Sequence, residues 1–149
     1  MLQPSEDFIA IPEVSSGTRR YIPMGFLHPD TICSNKLQIL PGASIYHFGV
    51  LMSNVHMAWM RTVCGRLKSD YDYSAKIVYN NFPWPVPTEK QKAKIEQSAQ
   101  AILDARSLYP DCSLAQFRRH RHLIVKNSKA AIGIERPSSY GSIWLLGQV

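Results

Sequence analysis

Lys68, Ser69 and Asp70 set a cationic donor and an anionic acceptor two positions apart. On an extended segment, residues two apart point the same way. Such a pair can meet both halves of one G·C pair in the major groove, where guanine offers O6 and N7 to a lysine and its cytosine offers the N4 donor to a carboxylate. Taken alone, the two residues read first as a solvated surface pair. Around them Arg66, Ser69, Tyr71, Tyr73, Ser74 and Lys76 carry donors suited to phosphate oxygens, contacts that set register on a duplex without reading sequence. Arg19, Arg20, Ser34, Asn35 and Lys36 make a second candidate patch on turns beside strands, with a plain surface-loop role as the alternative.

Other chemistries lack their residues. Methyl transfer to a base amino group needs a glycine-rich turn for a sulfonium cofactor and an Asn-Pro-Pro-Tyr-like box for the extruded base, and the sequence has neither. Asn81-Phe82-Pro83-Trp84 departs from that box at its second position and reads as a strand exit with buried aromatics. Metal-dependent nucleases need clustered carboxylates with a nearby lysine, and no Glu-x-Lys follows a Pro-Asp pair. His47 and His56, nine apart, miss the helical spacing that converges on one metal, so each reads as packed or solvated. Trp59, Tyr79, Phe82 and Trp84 are candidate stacking platforms for bases, yet a helix face and a proline-rich exit suit core packing better. Catalytic, metal-binding and cofactor-binding residues are therefore not expected in this chain.

The elements that must position Lys68 and Asp70 follow from patterning. Extended segments are expected at residues 8–12, 20–27 and 31–40, separated by Ser15-Ser16-Gly17 and His28-Pro29-Asp30. Ser44 can cap a helix carrying Ile45, Phe48, Met52, Val55 and Trp59 and ending near Gly65. Residues 66–74 read as an exposed loop and 76–79 as a strand. Pro83, Pro85 and Pro87 lack amide donors and mark the domain boundary; Thr88 then caps a second helix with Ile95, Ala99, Ile102 and Leu103 on one stripe. The expected fold is α+β, a small mixed or antiparallel β unit with a packed helix, followed by a C-terminal helix and a disordered tail.

With 149 residues and 45% hydrophobic content the chain can bury a core without metals or disulfides. Cys33, Cys64 and Cys112 are odd in number and widely spaced, against a disulfide framework or a zinc site. No apolar run approaches a membrane span and the N-terminus lacks signal-peptide character, so a soluble protein of a reducing cytoplasm is expected. A net charge of +6 suits a polyanionic partner.

Three runs then carry a resemblance: His56-Met57-Ala58-Trp59-Met60-Arg61, Gly65-Arg66-Leu67-Lys68-Ser69-Asp70-Tyr71, and Val78-Tyr79-Asn80-Asn81-Phe82-Pro83-Trp84-Pro85. With Ala10 to Ser16, Tyr21 to Phe26 and Ser34 to Gln38, they resemble the target-recognition domain of type IIL restriction-modification enzymes and related adenine-specific DNA methyltransferases over residues 7 to 115. The resemblance implies three segments: 1–87 as the C-terminal part of a target-recognition domain, 88–115 as the start of a helical segment, and 116–149 as an irregular tail. It also implies Lys68 and Asp70 as a base-reading pair, double-stranded DNA as partner, and a methyltransferase domain in cis or in trans. That domain would use S-adenosylmethionine on adenine, with an endonuclease fused in some architectures. An inert remnant of a disrupted restriction-modification gene and a scaffold module that binds no DNA are the rival readings.

The resemblance stops near Leu114-Ala115. Codons for Glu135 through Leu146 can be chosen so that the next frame reads N-D-R-Q-V-M-E-A-Y-G-F, the signature such enzymes carry there. A frameshift near codon 115 is therefore expected, which makes the Arg118 to His122 basic cluster an accident of translation. Sequencing the reading frame checks it.

Overall fold

Phe8, Ile9, Ala10 and Ile11 are all buried, which a strand achieves only when both of its faces are covered. The computed structural model describes residues 4–110 and puts these four on β1 (Phe8–Pro12). This strand is the centre of an antiparallel sheet, between β3 (Gly25–Leu27) and β4 (Leu37–Pro41). Ile9 pairs with Phe26 on one side and Leu40 on the other.

Glu13 alone separates β1 from β2 (Val14–Ser15), where the chain enters a second antiparallel sheet. There β6 (Asp70–Asp72) lies between β2 and β5 (Gly65–Leu67). Glu13 is the joint between the sheets. Its amide donates to the Lys36 carbonyl at 3.0 Å, its carbonyl accepts from the Tyr73 amide at 2.6 Å, and its carboxylate accepts from Gln38 Nε2 at 2.8 Å.

The helices cover the sheets. α1 (Ile45–Leu51) and α2 (Asn54–Val63) bury Phe48, Leu51, Met57 and Met60 with Ile9, Ile11, Ile22 and Met24. α3 (Glu89–Ser107) starts on Thr88, whose hydroxyl accepts from the Gln91 amide while the Gln91 side chain accepts from the Thr88 amide at 2.9 Å. It lies close along α1 because Gly49 has no side chain: a Cβ there would sit 2.7 Å from Ile95 Cγ2 and 3.1 Å from Ala99 Cβ. Arg106 ties the far end of α3 to the first sheet, donating to the Met24 carbonyl at 2.7 Å with its guanidinium 5.3 Å from the centre of the Phe48 ring. Burial pushes the Arg106 pKa down.

The architecture is α+β, as patterning indicated, with four local differences. The single helix expected from Ser44 to Gly65 is two, because Ser53 takes extended backbone and its hydroxyl caps the His56 amide at 3.1 Å. Val55, expected on the apolar stripe, is consequently 65% exposed. The strand expected at 76–79 is a π-helical turn, Ala75–Tyr79. Its β-forming residues yield to a conformation that buries Val78, while the Asn81 side chain donates to the Lys76 and Ile77 carbonyls at 2.8 and 3.1 Å. The loop expected at 66–74 is largely the β5–β6 hairpin. The expected strands at 20–27 and 31–40 shorten to β3 and β4.

Among the described residues no helix is long and apolar enough to cross a membrane, and no group of three or more His, Cys, Asp or Glu could hold a metal ion. Cys33 and Cys64 are free thiols. Cys112, the basic cluster and the expected frameshifted tail lie outside the described residues.

Candidate nucleic-acid interface

Strands β5 and β6 are joined by a two-residue turn, Lys68-Ser69, with Leu67 opposite Asp70 and Arg66 opposite Tyr71. Two-residue hairpins need a positive φ that glycine or asparagine normally supplies. Here Lys68 supplies it, at φ 59°. A lysine in this left-handed region is strained by about 1–2 kcal/mol, and Lys68 is exposed, with no buried contact to offset that cost. Lys68→Gly is therefore expected to stabilise the chain by about 0.5–1 kcal/mol in urea denaturation, since glycine fits the turn but adds unfolded-state freedom. A destabilised variant would show that the lysine side chain supports the turn.

The hairpin is anchored from inside. Tyr71 and Tyr73 point inward and are 5% and 1% exposed. The Arg66 guanidinium lies over the Tyr71 ring, 4.2 Å from its centre, and donates to the Ser69 carbonyl at 3.4 Å. The Tyr73 hydroxyl is hydrogen-bonded to His56 Nε2 at 3.2 Å inside the core; burial holds its pKa far above the usual phenol range. Tyr71 and Tyr73 thus do not offer donors to phosphates as their sequence setting suggested; alternation along β6 turns both away from solvent. Ser74, half-buried, caps the π-helical turn by accepting from the Val78 amide through its carbonyl at 2.8 Å. Lys76 is exposed on that turn.

The turn of residues 15–20 packs against the hairpin. The Gly17 amide donates to Asp70 Oδ1 at 3.2 Å, and a Cβ on Gly17 would collide with the Ser69 carbonyl oxygen. Arg61 of α2 spans both pieces, donating to the Arg20 carbonyl at 2.8 Å and to the Tyr71 hydroxyl at 3.3 Å. Arg20 is thereby tied through its carbonyl and Arg61 to Tyr71 of the hairpin, with its guanidinium 5.5 Å from the Tyr21 ring centre. Asn35 and Lys36 belong to another place, the Glu13 joint, where Lys36 Nζ lies 3.9 Å from the Glu13 carboxylate. From Glu13 to Gly17 the chain can reach at most about 14 Å, so this second patch is a neighbour of the hairpin tip and not part of it.

Trp59, Tyr79, Phe82 and Trp84 pack on one another. Phe82 is 6% exposed, with ring centres of Trp84 and Trp59 at 5.3 and 6.3 Å, and Trp59 Nε1 donates to the Val78 carbonyl at 2.9 Å. Sequence reasoning missed Gly17, Leu67 and Arg61. Leu67 pairs with Asp70 across the turn and so faces away from Tyr71, 58% exposed at the tip; strict alternation would have put it on the buried face, and no local signal marks the other two.

Residues 2–86 match the family model for the MmeI target recognition domain. The chain belongs to the MmeI target recognition domain family. It is 49% identical over 98 residues to DNA methyltransferase A of Bacillus subtilis (strain 168), a match that takes in 66% of this chain and 11% of that protein. It also superposes on the type IIL restriction-modification enzyme MmeI, solved in complex with DNA, with a TM-score of 0.75 and 41% identity over 93% of this chain and 20% of the other. The chain thus spans about a tenth and a fifth of the lengths of these two relatives. In this MmeI-type domain the β5–β6 hairpin, the 15–20 turn and Arg61 are linked to one another by hydrogen bonds.

Proposed function

We propose that this target-recognition chain reads one base pair of duplex DNA through the β5–β6 tip. Lys68 donates to guanine O6 and N7, and Asp70 accepts from N4 of the paired cytosine. The observation that carries the reading is the exposed Lys68 turn with Asp70 beside it, on a hairpin that Tyr71 and Tyr73 anchor from inside, in a chain of a target-recognition family. Arg66 and Ser69 at the tip, and Arg19 and Arg20 on the turn that packs against it, are candidates for phosphate contact, with Ser74, Lys76, Asn35 and Lys36 further along toward the Glu13 joint.

Catalysis belongs to a methyltransferase domain, in cis or in trans, that transfers a methyl group from S-adenosylmethionine to adenine; an endonuclease is a further component of the parent architecture. The residues present do not fit that cofactor: Gly17, Gly25, Gly42, Gly49 and Gly65 stand singly, so the described residues contain no glycine-rich turn to cradle it. Such a reader works in the bacterial cytoplasm on the nucleoid.

The test is binding selection from randomised duplexes. The wild-type chain is expected to enrich a sequence, and Lys68→Ala to relax one base pair by about 1–3 kcal/mol of discrimination while leaving other positions intact. Equal binding to all sequences, or none, would instead favour an inert remnant or a scaffold module.

A further inference from the structure

We infer that the Gly17 backbone amide holds one edge of the Asp70 side chain and so fixes which edge faces a base, a contact that decides what base pair Asp70→Asn would select. The inference rests on the base-reading role proposed for Asp70. It starts from the hydrogen bond between the Gly17 amide and Asp70 Oδ1, 3.2 Å long and joining residues 53 apart in sequence. The approach exists because residue 17 has no side chain, since a Cβ would collide with the Ser69 carbonyl oxygen. Arg61 holds the same two pieces together from the helix side, through the Arg20 carbonyl and the Tyr71 hydroxyl.

An amide N–H is satisfied only by an acceptor. It therefore commits one carboxylate oxygen of Asp70 and leaves Oδ2 for the groove. An ionised carboxylate accepts through both oxygens, so in the wild-type chain the outward polarity is the same whichever oxygen is bound. Asparagine has one acceptor and one donor. In Asp70→Asn the Gly17 amide takes Oδ1, and Nδ2 occupies the place of Oδ2. The outward group changes from acceptor to donor with the shape of the side chain nearly unchanged.

Cytosine N4 is itself a donor and cannot meet Nδ2. Thymine O4 can, and the adenine paired with it still offers N7 to Lys68. The Gly17 contact thus converts a single isosteric substitution into a change of target from G·C to A·T. Without the contact, an asparagine is free to turn either edge outward and reads both pairs.

The experiment uses the full 149-residue chain in selection from randomised duplexes, comparing wild type, Lys68→Ala, Asp70→Ala and Asp70→Asn. Wild type should select G·C at the position that Lys68→Ala relaxes, Asp70→Ala should weaken that selection to the guanine preference Lys68 alone supplies, and Asp70→Asn should select A·T by roughly tenfold or more. Hydrogen exchange of the Gly17 amide is the second readout: protection should persist in Asp70→Asn and be lost in Asp70→Ala. An Asp70→Asn chain that keeps G·C or accepts all pairs, or a Gly17 amide that exchanges equally in wild type, Asp70→Ala and Asp70→Asn, overturns the inference. If neither Lys68→Ala nor Asp70→Ala alters any position, the base-reading role itself fails and the inference falls with it.

Discussion

A Phe48→Ala chain is expected to lose about 3–5 kcal/mol of folding stability, the range for removing a fully buried phenylalanine. Phe48 is 0% exposed and joins three elements. It sits on α1, its ring centre is 5.6 Å from that of Phe26 on β3, and its face receives the Arg106 guanidinium of α3. The substitution removes apolar burial, opens a cavity against a strand and two helices that cannot close on it together, and strips the buried guanidinium of its ring. A domain of this size is stable by about 5–15 kcal/mol in total, so a fifth or more of the margin is at stake. A urea titration followed by tryptophan fluorescence checks it through the shift in midpoint. A loss below about 1 kcal/mol would mean that Phe48 is not what joins α1, α3 and the first sheet.

Acid is expected to destabilise the chain through His56, which is 0% exposed and whose pKa is pushed down to about 4, chiefly by burial, with partial relief from the Leu51 carbonyl. In the unfolded chain the imidazole titrates near its ordinary value, about 6.5. Between these two values the unfolded chain binds a proton that the folded chain refuses, so the proton favours unfolding. The contribution of the neutral imidazole is complete above about pH 6.5, and it falls away as the pH drops to about 4, costing about 3 kcal/mol over that window. Stability measured in urea at steps from pH 7 to pH 4 should decline with that slope. His56→Gln, less stable at neutral pH for loss of packing against Phe82 and Tyr73, should show a flatter profile across the same window. Parallel profiles would assign the acid sensitivity to other groups.

How much of this was legible in the sequence depends on how far apart the interacting residues lie. β1 is a continuous apolar run because it is covered on both faces, and the Thr88 start of α3 is a local hydrogen-bond pattern, so both were readable. Lys68 and Asp70 were identifiable as a chemical pair, but their carrier was not. β6 takes its inner partner from Val14 and Ser15, more than fifty positions upstream, and the hairpin turn lacks the glycine or asparagine that announces one, since a lysine takes the positive φ. Ser53 ended a helix whose apolar spacing invited continuation, and Asn81 allowed Ile77, Val78 and Tyr79 to leave the strand conformation their side chains favour. Gly17 was legible only as a turn residue; that it donates to Asp70 is a fact of tertiary packing alone.

Alternation along β6 also bears on how such a chain can change over generations. Tyr71 and Tyr73, facing in, are tied to Arg61, Arg66 and His56, so mutation there is purged as a folding defect before any effect on binding is tested. Leu67, Lys68 and Ser69 are exposed and carry no such burden, and at residue 68 the lysine is more strained than glycine would be. Divergence between lineages should therefore concentrate at the tip while the base of the hairpin stays fixed, and a new target preference lies only a few codon changes from the old one.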